Sequence, residues 1–249
     1  MSTWYEQAIF YHMYPLGMTG APKQNAQTEV TDRFKELDQW IPHIRSLGCN
    51  AIYIGPLFES SSHGYDTRDY YTVDRRLGTN DDLKEVCDAI HEAGLKILFD
   101  GVFNHCGSFN KWLDREKIYR SEAGYEPGAY ISKDSPYNDF FQFHDQNAWP
   151  DNGSYEGWWG FETLPKLNYE GSQELWNYVL DIGRKWVSPP YNVDGWRLDV
   201  AADLGHSPEV NHRFWKEFRK AVKEANPNAV ILAEHYGDCL LYTSDAADD

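Results

Sequence analysis

The sequence predicts an α/β chain folded as part of a (β/α)8 TIM barrel, incomplete, with about five strands present and an insertion after strand 3. Three observations point there. Short apolar strands alternate with amphipathic helices, an order that implies parallel pairing through right-handed crossovers. The GxGxxG fingerprint of an open dinucleotide-binding sheet is missing, because Gly17 and Gly20 do not fit its spacing. Asp100, Asp199 and Glu234 each close an apolar strand, which in a barrel gathers them at the mouth, where the chemistry of that fold is done.

Taken in order, residues 9–14 (IFYHMY) form an aromatic and β-branched run that stops at Pro15 and Gly17, a first strand. Across 31–47, Phe34, Leu37, Trp40, Ile41 and Ile44 recur at three- and four-residue spacing and predict one helix closed by Gly48. The second strand is 51–57. Thr79 with Asp82 three residues on has the form of a capping box, and Leu83, Val86, Ala89 and Ile90 supply the stripe of the helix it starts. The third strand, 96–100, follows. Regularity then lapses until about residue 170, and an irregular stretch of that length inside a compact unit is usually a lid or a small subdomain. It resumes with a helix over 172–187, a strand over 193–199, a helix over 208–226 and a strand over 230–234.

The chain therefore divides into 1–104, the first part of the barrel; 105–169, the insertion; and 170–238, the continuation of the barrel. The last stretch, 239–249 (CLLYTSDAADD), breaks the pattern and reads as the translation of a sequencing-library adapter, so it is expected to be a non-native tail. On that expectation the gene continues past Asp238, and the chain as it stands is inactive, aggregation-prone or partly unfolded, because five strands leave sheet edges open.

Composition bounds the partners. A formal net charge of -16 opposes phosphate backbones and anionic lipid, so neither nucleic acid nor a membrane is an expected partner. No segment is long and apolar enough to span a bilayer, and residues 1–6 carry no secretory signal. Cys49, Cys87, Cys106 and Cys239 show no CxxC pairing, which fits idle thiols in a reducing, cytoplasmic setting. Ten tryptophans and 17 tyrosines are many for so polar a chain; they imply either rings that stack on flat ligands or a ring-rich core.

Asp199 and Glu234 close consecutive strands and so face one another across a cleft, the arrangement needed to break a glycosidic bond. One carboxyl group protonates the leaving oxygen while the other captures the cationic sugar. Arg197, two residues before Asp199 on the same strand face, is expected to hold Asp199 ionised and lower its pKa. Glu234, after 231–233 (ILA), is expected to be partly desolvated and kept protonated as an acid. On spacing alone, Arg197 and Asp199 read equally as an ion pair that fixes a strand end, and a lone Glu ending a strand, as Glu234 does, reads more readily as structural. Asp100 and His105 read equally as a hydrogen-bond set that pins a loop, and a metal-ligand role for His105 is weaker because no second histidine stands at ligand spacing.

Together these residues resemble the α-amylase family of glycoside hydrolases, over about 9–238. Residues 100–105 (DGVFNH) look like its DxxxNH segment, 195–199 (GWRLD) like its GxRxD segment with the nucleophile last, and Glu234 like its general acid/base. Residues 63–70 (HGYDTRDY) are similar to its HGYDxxDY stretch, and 164–168 (LPKLN) to the MPKLN-type segment of the neopullulanase, cyclomaltodextrinase and maltogenic amylase branch, in which the insertion is named domain B. The resemblance implies a retaining hydrolase of α-glucosidic bonds in maltodextrins or other α-glucans, with Asp199 and Glu234 catalytic and Tyr65, Asp100, His105 and Arg197 on the substrate. It implies no required cofactor, with calcium at Asn104 the one metal it allows. It leaves open a transglycosylase and a non-catalytic carbohydrate-binding relative. The branch's extra N-terminal β-domain has no counterpart before residue 9, and the family's third catalytic carboxylate is expected beyond Asp238.

Overall fold

The computed structural model describes residues 3–26 and 29–236. The expected tail at 239–249 lies outside the described residues. In chain order the elements are β1 (Phe10–Met13), α1 (Pro15–Met18), α2 (Lys35–Asp38), α3 (Ile41–Ser46), β2 (Ala51–Ile54), β3 (Phe58–Ser60), β4 (Thr67–Val73), α4 (Asn80–Glu92), β5 (Lys96–Gly101), α5 (Gln173–Val187), β6 (Gly195–Leu198), α6 (Pro208–Ala225) and β7 (Val230–Ala233). Strands β1, β2, β5, β6 and β7 pair in that order, all parallel, with helices between them, as the arc of a partial (β/α)8 barrel.

The helices start where side chains satisfy their free N–H groups. Thr79 and Asp82 form the reciprocal capping box of α4; Ser172 Oγ accepts from the Leu175 N–H at α5; and Ser207 Oγ accepts from the Val210 N–H at α6, with Pro208 in its first turn. Each then buries one stripe: Leu83, Val86, Cys87 and Ile90 from α4; Leu175, Trp176, Val179 and Trp186 from α5; Phe214, Phe218 and Val222 from α6. A fully buried side chain of this kind contributes about 1.5–3 kcal/mol of transfer free energy, so these stripes hold the helices on the sheet. Helices α5 and α6 approach closely because residue 183 is glycine; a Cβ there would lie 2.6 Å from the Phe218 ring.

Four of the ten tryptophans lie in the core. Trp112, Trp176, Trp186 and Trp196 are buried, and Trp186 and Trp196 pack with Phe58, Phe99 and Phe103 against the sheet. Cys87 and Cys106 are buried free thiols; burial pushes the Cys87 thiol up to about 12. No helix among the described residues is long and apolar enough to cross a membrane.

The structure departs from the sequence reading in two places. The single helix over 31–47 is two short helices, α2 and α3, because Pro42 has no N–H to give and its ring would meet the carbonyl of Asp38. The segment between β2 and α4, to which the sequence pattern assigned no element, is an antiparallel hairpin, β3 with β4. Its return is fixed by a buried bidentate pair, with Arg76 Nε and Nη2 donating to Asp74 at 2.8 and 2.6 Å while Nη1 donates to the carbonyls of Pro22 and Ser62.

Candidate active site

Strand register brings the polar residues together. Asp100 on β5 lies directly opposite Arg197 on β6, and Leu198 lies opposite Ala233 on β7. The next residue of each strand continues the ladder, since the Asp199 N–H donates to the Gly101 carbonyl and the Glu234 N–H to the Leu198 carbonyl. The five parallel strands thus each deliver a polar side chain to one end of the sheet: His12, Tyr53, Asp100, Arg197 and, just past their strands, Asp199 and Glu234.

Arg197 is the hub. Its Nη1 donates to Asp100 Oδ1 at 2.8 Å and Oδ2 at 3.1 Å and to Asp199 Oδ1 at 2.9 Å, while Nη2 faces Glu234 Oε2 at 2.9 Å. Asp100 is fully buried, and its second oxygen also accepts from the Tyr53 hydroxyl, so both its oxygens are committed to protein groups that orient Arg197. Tyr53 in turn stacks on His12 at 4.3 Å. Glu234 Oε2 accepts a second hydrogen bond, 2.8 Å from the Val200 N–H.

The expected depression of the Asp199 pKa is not found. Burial, followed by the Asp100 charge, pushes the Asp199 carboxyl up to about 7, and Arg197 only offsets part of this. One guanidinium is shared among three carboxylates, so its benefit is divided; against burial, which lowers it, Asp100 and then Tyr53 and Asp199 hold the Arg197 side chain far above its ordinary pKa. Glu234 is partly covered, with 35% of its side chain exposed.

Tyr65 stands beside this cluster, half-buried, with Asp100 and Asp199 raising its hydroxyl pKa after burial itself. Its loop requires Gly64, which sits at φ +94 with no room for a Cβ against Pro56. His105 pins the same loop: Nε2 bonds the Tyr65 carbonyl at 3.1 Å, and Nδ1 accepts from Asn104 Nδ2 at 3.1 Å. These partners assign the neutral Nε2–H tautomer, in keeping with burial that lowers the His105 pKa to about 4. His105 is thus one layer behind the carboxylates, buried under the Trp158 ring, which stacks on it at 4.9 Å.

Asn104 does not fit calcium. Its Oδ1 faces the Lys166 ammonium at 3.5 Å, a cation already supplied by the chain, and Lys166 is anchored by the Asp203 carbonyl at 2.7 Å. No group of three or more His, Cys, Asp or Glu side chains among the described residues could hold a metal ion.

Several members of the site are not evident from strand-end acids alone. His12 and Tyr53 interrupt otherwise apolar strands, which was a usable signal. Lys166 lies inside the LPKLN segment, which assigned it no role, and Asp203 and His206 gave no signal, because only the fold joins them: Asp203 accepts from Trp158 Nε1 at 2.7 Å, and His206 lies between Glu156 and Glu170, with ring nitrogens 2.8 and 2.9 Å from their oxygens.

With this geometry in hand, residues 26–249 match the model of the alpha amylase catalytic domain. The chain belongs to the alpha-amylase family. This alpha-amylase family chain is 34% identical over 251 residues to a cyclomaltodextrinase of Bacillus sp, an alignment covering 93% of the chain and 41% of the relative. It is 35% identical over 227 residues to an amylopullulanase of Thermoanaerobacter thermohydrosulfuricus, covering 83% of the chain and 14% of the relative. Among solved structures it is similar to the cyclic α-maltosyl-(1→6)-maltose hydrolase of Arthrobacter globiformis, with a TM-score of 0.72, 29% identity and coverage of 95% of the chain and 53% of that structure. It is also similar to the debranching enzyme of Nostoc punctiforme, with a TM-score of 0.73, 29% identity and coverage of 97% and 51%. The chain therefore spans less than half the length of these curated relatives and about half of the solved ones.

Proposed function

We propose that this chain carries the nucleophile and the general acid/base of a retaining hydrolase of α-glucosidic bonds in maltodextrins or related α-glucans. The observation that carries the reading is the single Arg197 guanidinium bonded to both Asp199 and Glu234. Two carboxyl groups bridged in this way are separated by no more than a guanidinium and two hydrogen bonds, a span compatible with the ~5–5.5 Å of a retaining pair.

Arg197 engages Oδ1 of Asp199, so the other oxygen can attack the anomeric carbon. As that bond forms, the bond to the leaving oxygen breaks and Glu234 gives the oxygen its proton. Water then enters at the anomeric carbon, Glu234 takes its proton, and the Asp199 ester is released. Tyr65, beside Asp199, offers a ring face to the sugar. The reaction in this reading uses no metal.

The relatives named cyclomaltodextrinase and amylopullulanase support the substrate class. Buried free thiols, and a Bacillus subtilis relative named intracellular maltogenic amylase, support a cytoplasmic location. The test is turnover of maltoheptaose by Asp199→Asn and Glu234→Gln in the protein. Each is expected to lose at least about 10³-fold in kcat while still binding the sugar; detectable wild-type-like turnover by Asp199→Asn would overturn the assignment.

A further inference from the structure

Residues 155–165 (YEGWWGFETLP) place two adjacent tryptophans in a polar segment of the insertion. The chain doubles back there. The Trp158 N–H donates to the Leu164 carbonyl, the Gly160 N–H to Gly157 and the Phe161 N–H to Trp158, while a Cβ on Gly157 would lie 2.2 Å from the Phe161 carbonyl oxygen. At the tip, Trp159 is held at φ +51, ψ +25, a left-handed conformation that a bulky side chain rarely adopts.

This conformation presents the indole to water. Trp159 is 70% exposed, the most exposed large hydrophobic side chain of the described residues. One face rests on Trp158 at 4.7 Å, Trp158 rests on buried His105, and the Trp158 Nε1–H is tied to Asp203. Tyr236, two residues after Glu234, meets Trp159 edge-on at 6.2 Å. The ring is thus a fixed plane built outward from the site. A groove of about 520 Å³ adjoins it, lined by His144, Ser154, Tyr155, Glu156 and Glu162 as well as Trp159, within the ~300–1,000 Å³ usual for small-ligand sites.

The two features define the ligand chemistry. A flat apolar face suits the C–H face of a pyranose, and carboxylate, imidazole and hydroxyl groups around it suit the equatorial hydroxyls. Two glutamates on the rim and a net charge of -16 disfavour an anionic ligand. We propose that Trp159 and this groove form a separate glucan-binding subsite on the insertion, which holds a neutral glucose unit of a long or branched chain away from the carboxylate cluster. The substrate class in this inference rests on the function proposed above.

The test is isothermal titration of maltoheptaose into the protein carrying Asp199→Asn, alone and combined with Trp159→Ala or Trp159→Phe. Roughly tenfold weaker binding on Trp159→Ala, with affinity retained by Trp159→Phe and with unchanged melting temperature, is the expected result. Equal affinity in the Trp159→Ala background would overturn the subsite and leave the proposed function standing. No binding of maltoheptaose even to the Asp199→Asn protein would overturn both.

Discussion

The backbone N–H of Val200, the residue after the nucleophile candidate, donates to Glu234 Oε2 at 2.8 Å, and Val200 makes this bond from φ +39, ψ +44. A β-branched residue in the left-handed region is strained, and such strain concentrates at functional sites. Proline at this position would lack the N–H and force φ negative. Val200→Pro is expected to cost about 3 kcal/mol or more of stability and at least ~10²-fold in kcat. Val200→Gly keeps the donor and relieves the strain, so its melting temperature should equal or exceed that of wild type. Paired thermal melts and kcat measurements check both variants.

The raised Asp199 pKa makes a stability statement. Its carboxyl titrates at 3.8 in the unfolded chain and at about 7 in the folded one, so the folded state holds the extra proton between those values. Stability from this group therefore falls as pH rises from about 4 to about 7 and stays low above that. Asp199→Asn removes the titration and keeps an acceptor for Arg197. It should melt with wild type near pH 4 and be more stable by about 1–3 kcal/mol at pH 8, several degrees in melting temperature. A constant difference across that range would reject this electrostatic picture.

How much of this was readable beforehand depended on distance along the chain. The capping pair Thr79 and Asp82 is local, and the strand-end acids Asp100, Asp199 and Glu234 follow from apolar runs, so both were legible. Helix periodicity over 31–47 hid the break at Pro42, because spacing reports a face and not a missing N–H. The β3–β4 hairpin was hidden because Arg68 and Asp69 lie in its second strand, and Arg68 is paired only by the fold, through Ser61. The sign of the Asp199 shift needed the count of acids around Arg197, which two-residue spacing cannot supply.

Lys166 predicts indifference to chelators. Its ammonium stands 3.5 Å from Asn104 Oδ1, where the family resemblance allows a calcium ligand, so EDTA should leave the melting temperature unchanged. Lys166→Ala should lower it by about 1 kcal/mol equivalent through loss of the bond to the Asp203 carbonyl. A calcium-dependent rise in melting temperature would contradict this.

His206 fastens the insertion to the segment between β6 and α6. It lies between Glu156 and Glu170, and its N–H and that of Ser207 donate to Glu170 Oε1. His206→Ala should cost about 1–2 kcal/mol, and protease nicking within 105–169 should accelerate more than cleavage elsewhere. Limited proteolysis with mapped cut sites distinguishes this from uniform destabilisation.

Strand β7 is an edge of the described sheet and leaves Leu232 48% exposed. The 249-residue chain expressed alone should self-associate, and Leu232→Lys should shift it toward monomer in sedimentation velocity.

The central claim, a double displacement through Asp199 with Glu234 as acid/base, is tested most directly by proton NMR of maltoheptaose cleavage in the first minutes. Release of the new reducing end as the α-anomer, followed by slow mutarotation, is the predicted result. Initial release of the β-anomer would mean a single displacement by water and would contradict the nucleophile assignment of Asp199.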